Sequence, residues 1–246
     1  MQDLVYRGII IKQANYGDAH RMLWIFTESD GIIKAVRYGI RGKKTSNAAA
    51  FQLFCYGDFK LRPSQGEIMT AVSAEVIDGF YPLSEDIKKL SMISYLSDIT
   101  HWLLGENNPD SRICSLFLNA VYAAAYRDES YIKLKSVYEF KLMCVGGYMP
   151  KLDACCVCGK EAEYFSCNRG AVLCREHHGA GDIKTDSTVL AIMRYLAGCP
   201  DKKMLSFSLS DEKAMECFSK ISEKYIISQC ERNFDSLKYF YSINDM

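Results

Sequence analysis

The sequence predicts an α+β chain: an N-terminal five-stranded OB-type β-barrel, then a helical domain carrying an inserted cysteine-rich module. Three observations predict it. Residues 3–80 run through short segments rich in β-branched and aromatic residues. After Pro82 the apolar residues recur every three or four positions instead. Between two such helical stretches, "KLDACCVCGK", Lys151 to Lys160, sets three cysteines within four positions.

The strands come first. "LVYRGIIIK" and "RMLWIFT" are followed by "ESDG", a turn signal that closes a hairpin at Asp30-Gly31 onto "IIKAVRY". "FQLFCYGDFKLR" and "EIMTAVSAEVI" form a second pair across Pro63 to Gly66. Five short antiparallel strands expose edges unless they close on themselves, and a barrel of the OB type closes them at this length. An SH3-like barrel is the alternative closure. The helical part opens with Ser84 as a cap and Glu85 and Asp86 at the positive helix end. Ile87, Leu90, Ile93, Leu96, Ile99 and Leu103 then keep a helical period up to Gly105. Further helices fit Ser111 to Tyr126 and Glu129 to Val145, the latter stopped by Gly146-Gly147 and Pro150. Beyond the cysteines Ser187 and Ser210 cap two more, and Asn233 or Asp235 opens the last. The expected domains are a barrel over 1–80, a helical domain over 81–150 and 183–246, and an insertion over 151–182.

Composition limits the functions on offer. The 246 residues carry 30 basic and 30 acidic side chains, so no whole-chain attraction for a polyanion exists and any such argument is local. "MQDLVYRGII" lacks a basic leader followed by an apolar run, and no stretch reaches the roughly 18 to 20 apolar residues of a membrane span. A cytoplasmic protein is expected, with its eleven cysteines reduced. Cys55, Cys114, Cys144, Cys199, Cys217 and Cys230 stand alone among apolar or helical neighbours and read as small core residues.

The remaining cysteines have ligand spacing. Cys155 and Cys158 are separated by two residues, and after fifteen intervening residues Cys174 and His177 repeat that gap. Thiolates on one tight turn can grip a single ion at about 2.3 Å, and Gly159 relaxes the backbone just past the second sulfur. Three thiolates and an imidazole leave no coordination position for water, which points to one structural Zn2+ per chain. His178, Cys156 and Cys167 compete for places in this shell. A thioredoxin-like redox pair is disfavoured, because "CVC" follows Pro150 and a loop rather than a strand.

Between Ile32 and Arg62 the cations Lys34, Arg37, Arg41, Lys43, Lys44, Lys60 and Arg62 face Asp58 alone, a local excess of six. "RYGIRGKKTS" is a glycine-broken basic loop with Tyr38 beside it, suited to phosphate contacts and one stacked base. A solvated loop is the bland alternative. Strand alternation puts Lys34 and Arg37 on opposite faces.

Three stretches resemble one family. "GIIIKQANYGDAHRMLWIFTESDGIIKAVRYGIRGKK", Gly8 to Lys44, resembles the N-terminal region of the bacterial recombination mediator RecO. "YEFKLMCVGGYMPKLDACCVCG", Tyr138 to Gly159, is similar to that family's helix, Gly-Tyr-x-Pro junction and first zinc pair, and "FSCNRGAVLC", Phe165 to Cys174, to its second. The closing segment fits only loosely. The resemblance implies a barrel, a helical domain and a zinc module without a catalytic centre. It implies Cys155, Cys158 and Cys174 as ligands, with His177 where many members have cysteine. It implies binding to single- and double-stranded DNA, strand annealing, and contact with the tail of single-strand-binding protein and with RecR, in a cytoplasmic, nucleoid-associated protein. Lys133, Lys135 and Lys141 beside Leu134, Val137 and Phe140 are candidates for the tail pocket. A zinc-dependent DNA-processing enzyme needs an open metal position or clustered carboxylates, and neither is visible. His20 and His101 are isolated, and no Gly-x4-Gly-Lys-Ser/Thr loop occurs. A zinc scaffold that binds only protein leaves the basic strip unused.

Overall fold

The computed structural model describes residues 2–39, 48–208 and 211–244. The chain forms two compact units, 1–126 and 127–246. In the first, β1 (Leu4–Tyr16), β2 (His20–Thr27), β3 (Gly31–Arg37), β4 (Tyr56–Arg62) and β5 (Met69–Asp78) close a barrel in the order β1-β2-β3-β5-β4. β3 and β5 run parallel and every other pair antiparallel. This is the OB-type order, so the SH3-like alternative falls away. Ile10, Leu23, Ile25, Ile33, Phe59 and Leu61 fill the lumen.

One expected strand is half wrong. "FQLFC" is no strand: Ala49–Phe51 makes a 3-10 turn and β4 begins only at Tyr56. The segment plugs the barrel end. Phe51 joins the lumen cluster, Phe54 adopts a left-handed φ of 63° and donates its N–H to Ile10 O at 2.8 Å, and Ile10 N–H donates to Cys55 O at 3.1 Å. An apolar run without a period reads alike as strand or plug.

Helices α1 (Pro82–Glu85), α2 (Ile87–Leu104) and α3 (Ser111–Tyr126) complete this unit. Asp86, not Ser84, caps α2, accepting from the N–H groups of Lys88 and Lys89. Pro82 starts its own short helix, and the chain turns extended at Asp86 before α2 begins. Ser97 Oγ donates to Ile11 O at 2.6 Å, and Phe117 of α3 lies 6.4 Å from Phe26 of β2, so these helices cover the outer side of β1 and β2.

The second unit holds α4 (Tyr131–Val145), short strands β6 (Tyr164–Ser166), β7 (Ala171–Leu173) and β8 (Ile183–Lys184), then α5 (Ser187–Gly198), α6 (Glu212–Cys230) and α7 (Asp235–Asn244). Ser130, Asp186 and Asp211 cap α4, α5 and α6. The helix expected from Glu129 begins at Tyr131, the expected cap Ser187 is instead the first residue of α5, and Ser210 lies outside the described residues. No helix among the described residues is long and apolar enough to cross a membrane.

α4 is the axis of this unit, buried continuously from Leu134 to Cys144. Its charges are buried too. Lys135 Nζ lies 3.0 Å from Glu139 and 2.7 Å from Glu223, and Lys141 Nζ lies 3.4 Å from Asp201 while donating to Cys199 O at 2.7 Å. Burial pulls the Lys135 ammonium towards neutrality, but Glu139 and Glu223 outweigh it and hold the pKa above the ordinary lysine range. Lys135→Ala leaves the fully buried Glu139 without this counter-charge, and urea unfolding should show a loss of about 3–5 kcal/mol. Replacing both partners, Lys135→Met with Glu139→Leu, should recover most of that loss.

Candidate metal centre and nucleic-acid interface

The metal-ligating residues sit on two turns joined through the β6–β7 hairpin. In the first turn Cys155 N–H donates to Lys160 O and Gly159 N–H to Cys155 O, both at 2.9 Å, with Gly159 at a φ of +73° that only glycine adopts freely. In the second, the N–H groups of His177 and His178 both converge on Cys174 O, at 3.1 and 3.2 Å. Cys156 N–H donates to Val172 O at 3.1 Å, which ties the first turn to β7 just ahead of the second.

The result is one compact donor set. One ligand atom from each of Cys155, Cys158, Cys174 and His177 lies within 4.8 Å of the others. Cys158 Sγ is 3.7 Å from Cys174 Sγ, and His177 Nδ1 is 3.6 Å from Cys155 Sγ and 3.3 Å from Cys174 Sγ. A tetrahedral ion with bonds of about 2.3 Å to sulfur and about 2.0 Å to nitrogen has edges of about 3.8 and about 3.5 Å. The donor set fits such an ion. The 3.7 Å sulfur separation is far longer than a disulfide of about 2.05 Å. Desolvation pushes the Cys155 thiol up, but backbone hydrogen bonds from Cys174, Val157 and Cys158 and the Cys158 side chain outweigh it and bring Cys155 down to about 5; Cys158 goes the other way, since the Lys160 backbone hydrogen bond lowers it but desolvation and the side chains of Cys174 and Cys155 raise it on balance.

The competing side chains are engaged elsewhere. His178 stacks on Tyr164 with ring centroids 3.8 Å apart and planes 12° from parallel. Cys167 is buried with its Sγ 4.0 Å from Ile221 O on α6, and Cys156 is exposed and outside the cluster. Of the six cysteines read as core, Cys55, Cys114, Cys144 and Cys230 are buried, and burial pushes their thiols up to about 11 or about 12. Cys199 and Cys217 are half-buried.

Of the basic residues between 32 and 62, the four among the described residues, Lys34, Arg37, Lys60 and Arg62, do not share one surface. Lys34 points outward from β3 to Glu106 at 2.6 Å. Arg37 turns the other way, donating to Ala71 O at 3.2 Å and Val72 O at 2.9 Å with its guanidinium 4.8 Å from the Phe51 ring, so it fastens β5 to the barrel plug. Lys60 and Arg62, alternate residues on the outer side of β4, both reach Asp3, at 3.5 and 2.8 Å. These pairs are exposed, and exposed pairs contribute only about 0–1 kcal/mol, so a phosphate can compete for either cation. Arg41, Lys43 and Lys44 lie outside the described residues.

Tyr38 stands where that loop departs. It is 50% exposed, its ring edge-on to His20 at 4.8 Å, and the neighbouring Gly39 N–H donates to His20 Nδ1 at 3.3 Å. Sequence reasoning missed Trp24, which pairs with Lys12 on β1 and Lys34 on β3 and carries Lys12 Nζ 5.2 Å from its ring centre. The signal was the alternation Met22, Trp24, Phe26, which puts Trp24 on the outer face.

The lysines of α4 require a correction. Leu134, Val137 and Phe140 are core residues, Lys135 and Lys141 are buried ion-pair members, and Lys133 is held by Glu129 at 3.1 Å and Leu205 O at 3.3 Å. These three lysines therefore do not rim a tail pocket, because their stretch of α4 is packed against α5 and α6.

The comparisons agree along the whole chain. The family model for the recombination protein O N terminal matches residues 1–80, and that for the recombination protein O C terminal matches residues 84–238. A DNA repair protein RecO of Acetivibrio thermocellus is 30% identical over 249 residues, covering 99% of this chain and 98% of the relative. Those of Alkaliphilus metalliredigens and Symbiobacterium thermophilum are each 28% identical, covering 94% of this chain and 96% and 94% of their own lengths. Barrel, helical unit and metal-ligating module thus fall within two matched halves in one order, and the chain belongs to the recombination protein O (RecO) family.

Proposed function

We propose that this protein is a non-enzymatic, DNA-binding recombination mediator in DNA repair. It anneals complementary strands and helps to replace single-strand-binding protein by recombinase, with the single-strand-binding protein tail and RecR as protein partners. The observation that carries this reading is membership along the full length in a family whose relatives are named DNA repair proteins. The barrel supports it, because half-exposed Tyr38 offers a ring for stacking beside a loop bearing Arg41, Lys43 and Lys44. A cytoplasmic location near the nucleoid follows from the same reading.

The metal is zinc in this reading, one per chain, held by Cys155, Cys158, Cys174 and His177. It supplies a cross-link between two turns and no catalytic chemistry, since four protein ligands leave no position for water. The histidines favour the same side. His20 is tied to Gly39, and burial lowers the pKa of His101, with Lys12 adding to the effect, so neither resembles a positioned general base.

Metal analysis of freshly purified, reduced protein should therefore return one zinc per chain. Cys158→Ser should lose the metal and, with it, hydrogen-exchange protection across residues 151–184, while the barrel keeps its protection. A zinc-free parent with that region protected would remove zinc from the proposal.

For DNA, Arg41→Ala, Lys43→Ala and Lys44→Ala are combined and Arg37 is kept, because Arg37 fastens the barrel plug. Oligonucleotide binding should weaken irrespective of sequence, and the log–log salt slope should fall by about 0.7 to 0.9 for each phosphate no longer neutralised. Parent-like binding at every salt concentration would reduce the loop to solvated surface. Annealing of complementary oligonucleotides, with and without single-strand-binding protein, tests the mediator step itself.

A further inference from the structure

The structure gathers four lysines along α6 that no ion pair uses. Lys213, Lys220 and Lys224 on α6 and Lys184 on β8 line a groove of about 550 Å³. All four are exposed, and among the described residues none has a carboxylate within ion-pair distance. The contrast within the same unit is sharp: Lys133, Lys135 and Lys141 are each held by an acid.

The groove is held in shape from both sides. β8 pairs with β6 through Phe165↔Ile183 and Tyr164↔Lys184, the Ile183 side chain is buried, and Cys217 Sγ lies 3.5 Å from Lys184 O. Lys184 is therefore fixed relative to α6. Two acids also line the groove. Asp182 is engaged by the Gly179 N–H at 2.7 Å, and Glu216 sits on α6 between Lys213 and Lys220. Four cations against two anions leave the groove positive.

Spacing and lining identify the ligand. At about 1.5 Å per helical residue, Lys220 and Lys224 are about 6 Å apart along α6, and Lys213 to Lys224 spans about 16 Å. One strand of a duplex carries a charge every 3.4 Å or so of axis, so this row runs past roughly four or five phosphates of such a strand and past fewer of an extended single strand. No aromatic side chain lines the groove, so bases have nothing to stack on. Its apolar lining is limited to Ala180, Cys217 and the buried Ile183, a small floor for the apolar tip of an acidic peptide, and the hollow that Ile132 and Tyr241 form beyond Lys220 and Lys224 is a separate one. What remains complementary is a chain of phosphates.

We infer that this groove is a contact for the sugar-phosphate backbone of a nucleic-acid strand, independent of sequence and additional to the loop at residues 41–44. The inference rests on the DNA-binding reading above and names where in the second unit the polymer is held. Its test is Lys184→Ala, Lys213→Ala, Lys220→Ala and Lys224→Ala combined, titrated against a labelled single-stranded oligonucleotide over a salt series. Because the four side chains are exposed and outside ion pairs, the variant should melt like the parent. Binding at moderate salt should drop at least tenfold, with a salt slope smaller by about 0.7 for each phosphate left unneutralised, and the matching Lys→Arg variant should bind like the parent. An alanine variant with parental affinity and slope overturns the groove, and leaves the DNA reading standing if the loop variant still loses binding. A variant that loses a polyglutamate peptide but keeps the oligonucleotide also overturns it, assigning the groove to an acidic protein. A parent that binds no oligonucleotide overturns both readings.

Discussion

The first unit depends on β1 serving two neighbours at once. Its first half pairs with β4, from Leu4↔Leu61 to Ile9↔Tyr56, and its second half with β2, from Gly8↔Thr27 to Tyr16↔His20. At Gly8, where the two registers begin to overlap, there is no room for a side chain: a Cβ there would stand 2.5 Å from Phe26 O. The ladder then shifts between Ile10 and Lys12, and the freed Ile10 backbone is taken up by Phe54 and Cys55. Closure consequently buries three consecutive isoleucines, Ile9, Ile10 and Ile11, where an ordinary half-buried strand would bury alternate ones. At about 1.5–3 kcal/mol each, these side chains hold together the lumen on one side and the helix-covered surface on the other.

That double burial decides which barrel surface remains for a ligand. The side of β1 and β2 beneath α2 and α3 is occupied, and Lys34 spends its charge on Glu106. The outer side of β4 stays open, with Lys60 and Arg62 answered only by the exposed pair partner Asp3. In the second unit the metal-ligating module meets a different shortage. Strands of three, three and two residues cannot stabilise themselves, and the apolar cluster around Cys155, Leu173 and Cys174 is small. An ion held by the four convergent donors would replace the missing core and tie down the turns, and through Tyr164 in β6 also the position of β8.

Much of this was legible in sequence because it rests on local rules. Strand alternation, the Asp30-Gly31 hairpin, the span Ser111–Tyr126 and the paired ligand spacing each report a short-range constraint. Tertiary context hid the rest. Asp86, Asp186 and Asp211 outcompeted the neighbouring serines as caps, a choice that turns on where the backbone becomes extended. "FQLFC" had the composition of a strand and the role of a plug. The lysines of α4 looked available to a tail pocket because Glu223 and Asp201, their partners from distant positions, could not be placed beside them from sequence. His177 was favoured by spacing alone, and its competitor His178 is set apart only by stacking on Tyr164.

A net charge of zero says little about how such a chain meets a polyanion, because its cations fall into three physical classes. Lys135 and Lys141 are buried with their acids, and exchanging those partners would expose an uncompensated charge, so they are lost to any ligand. Lys60 and Arg62 hold exposed pairs that a phosphate can replace at little cost. The lysines along α6 have, among the described residues, no acid within ion-pair distance. Salt weakens exposed pairs and phosphate contacts together, so the exchangeable class loses less net binding on screening than the uncompensated one. The salt dependence of binding therefore reports which cations are already spent within the fold, a quantity that neither the isoelectric point nor the count of basic residues contains.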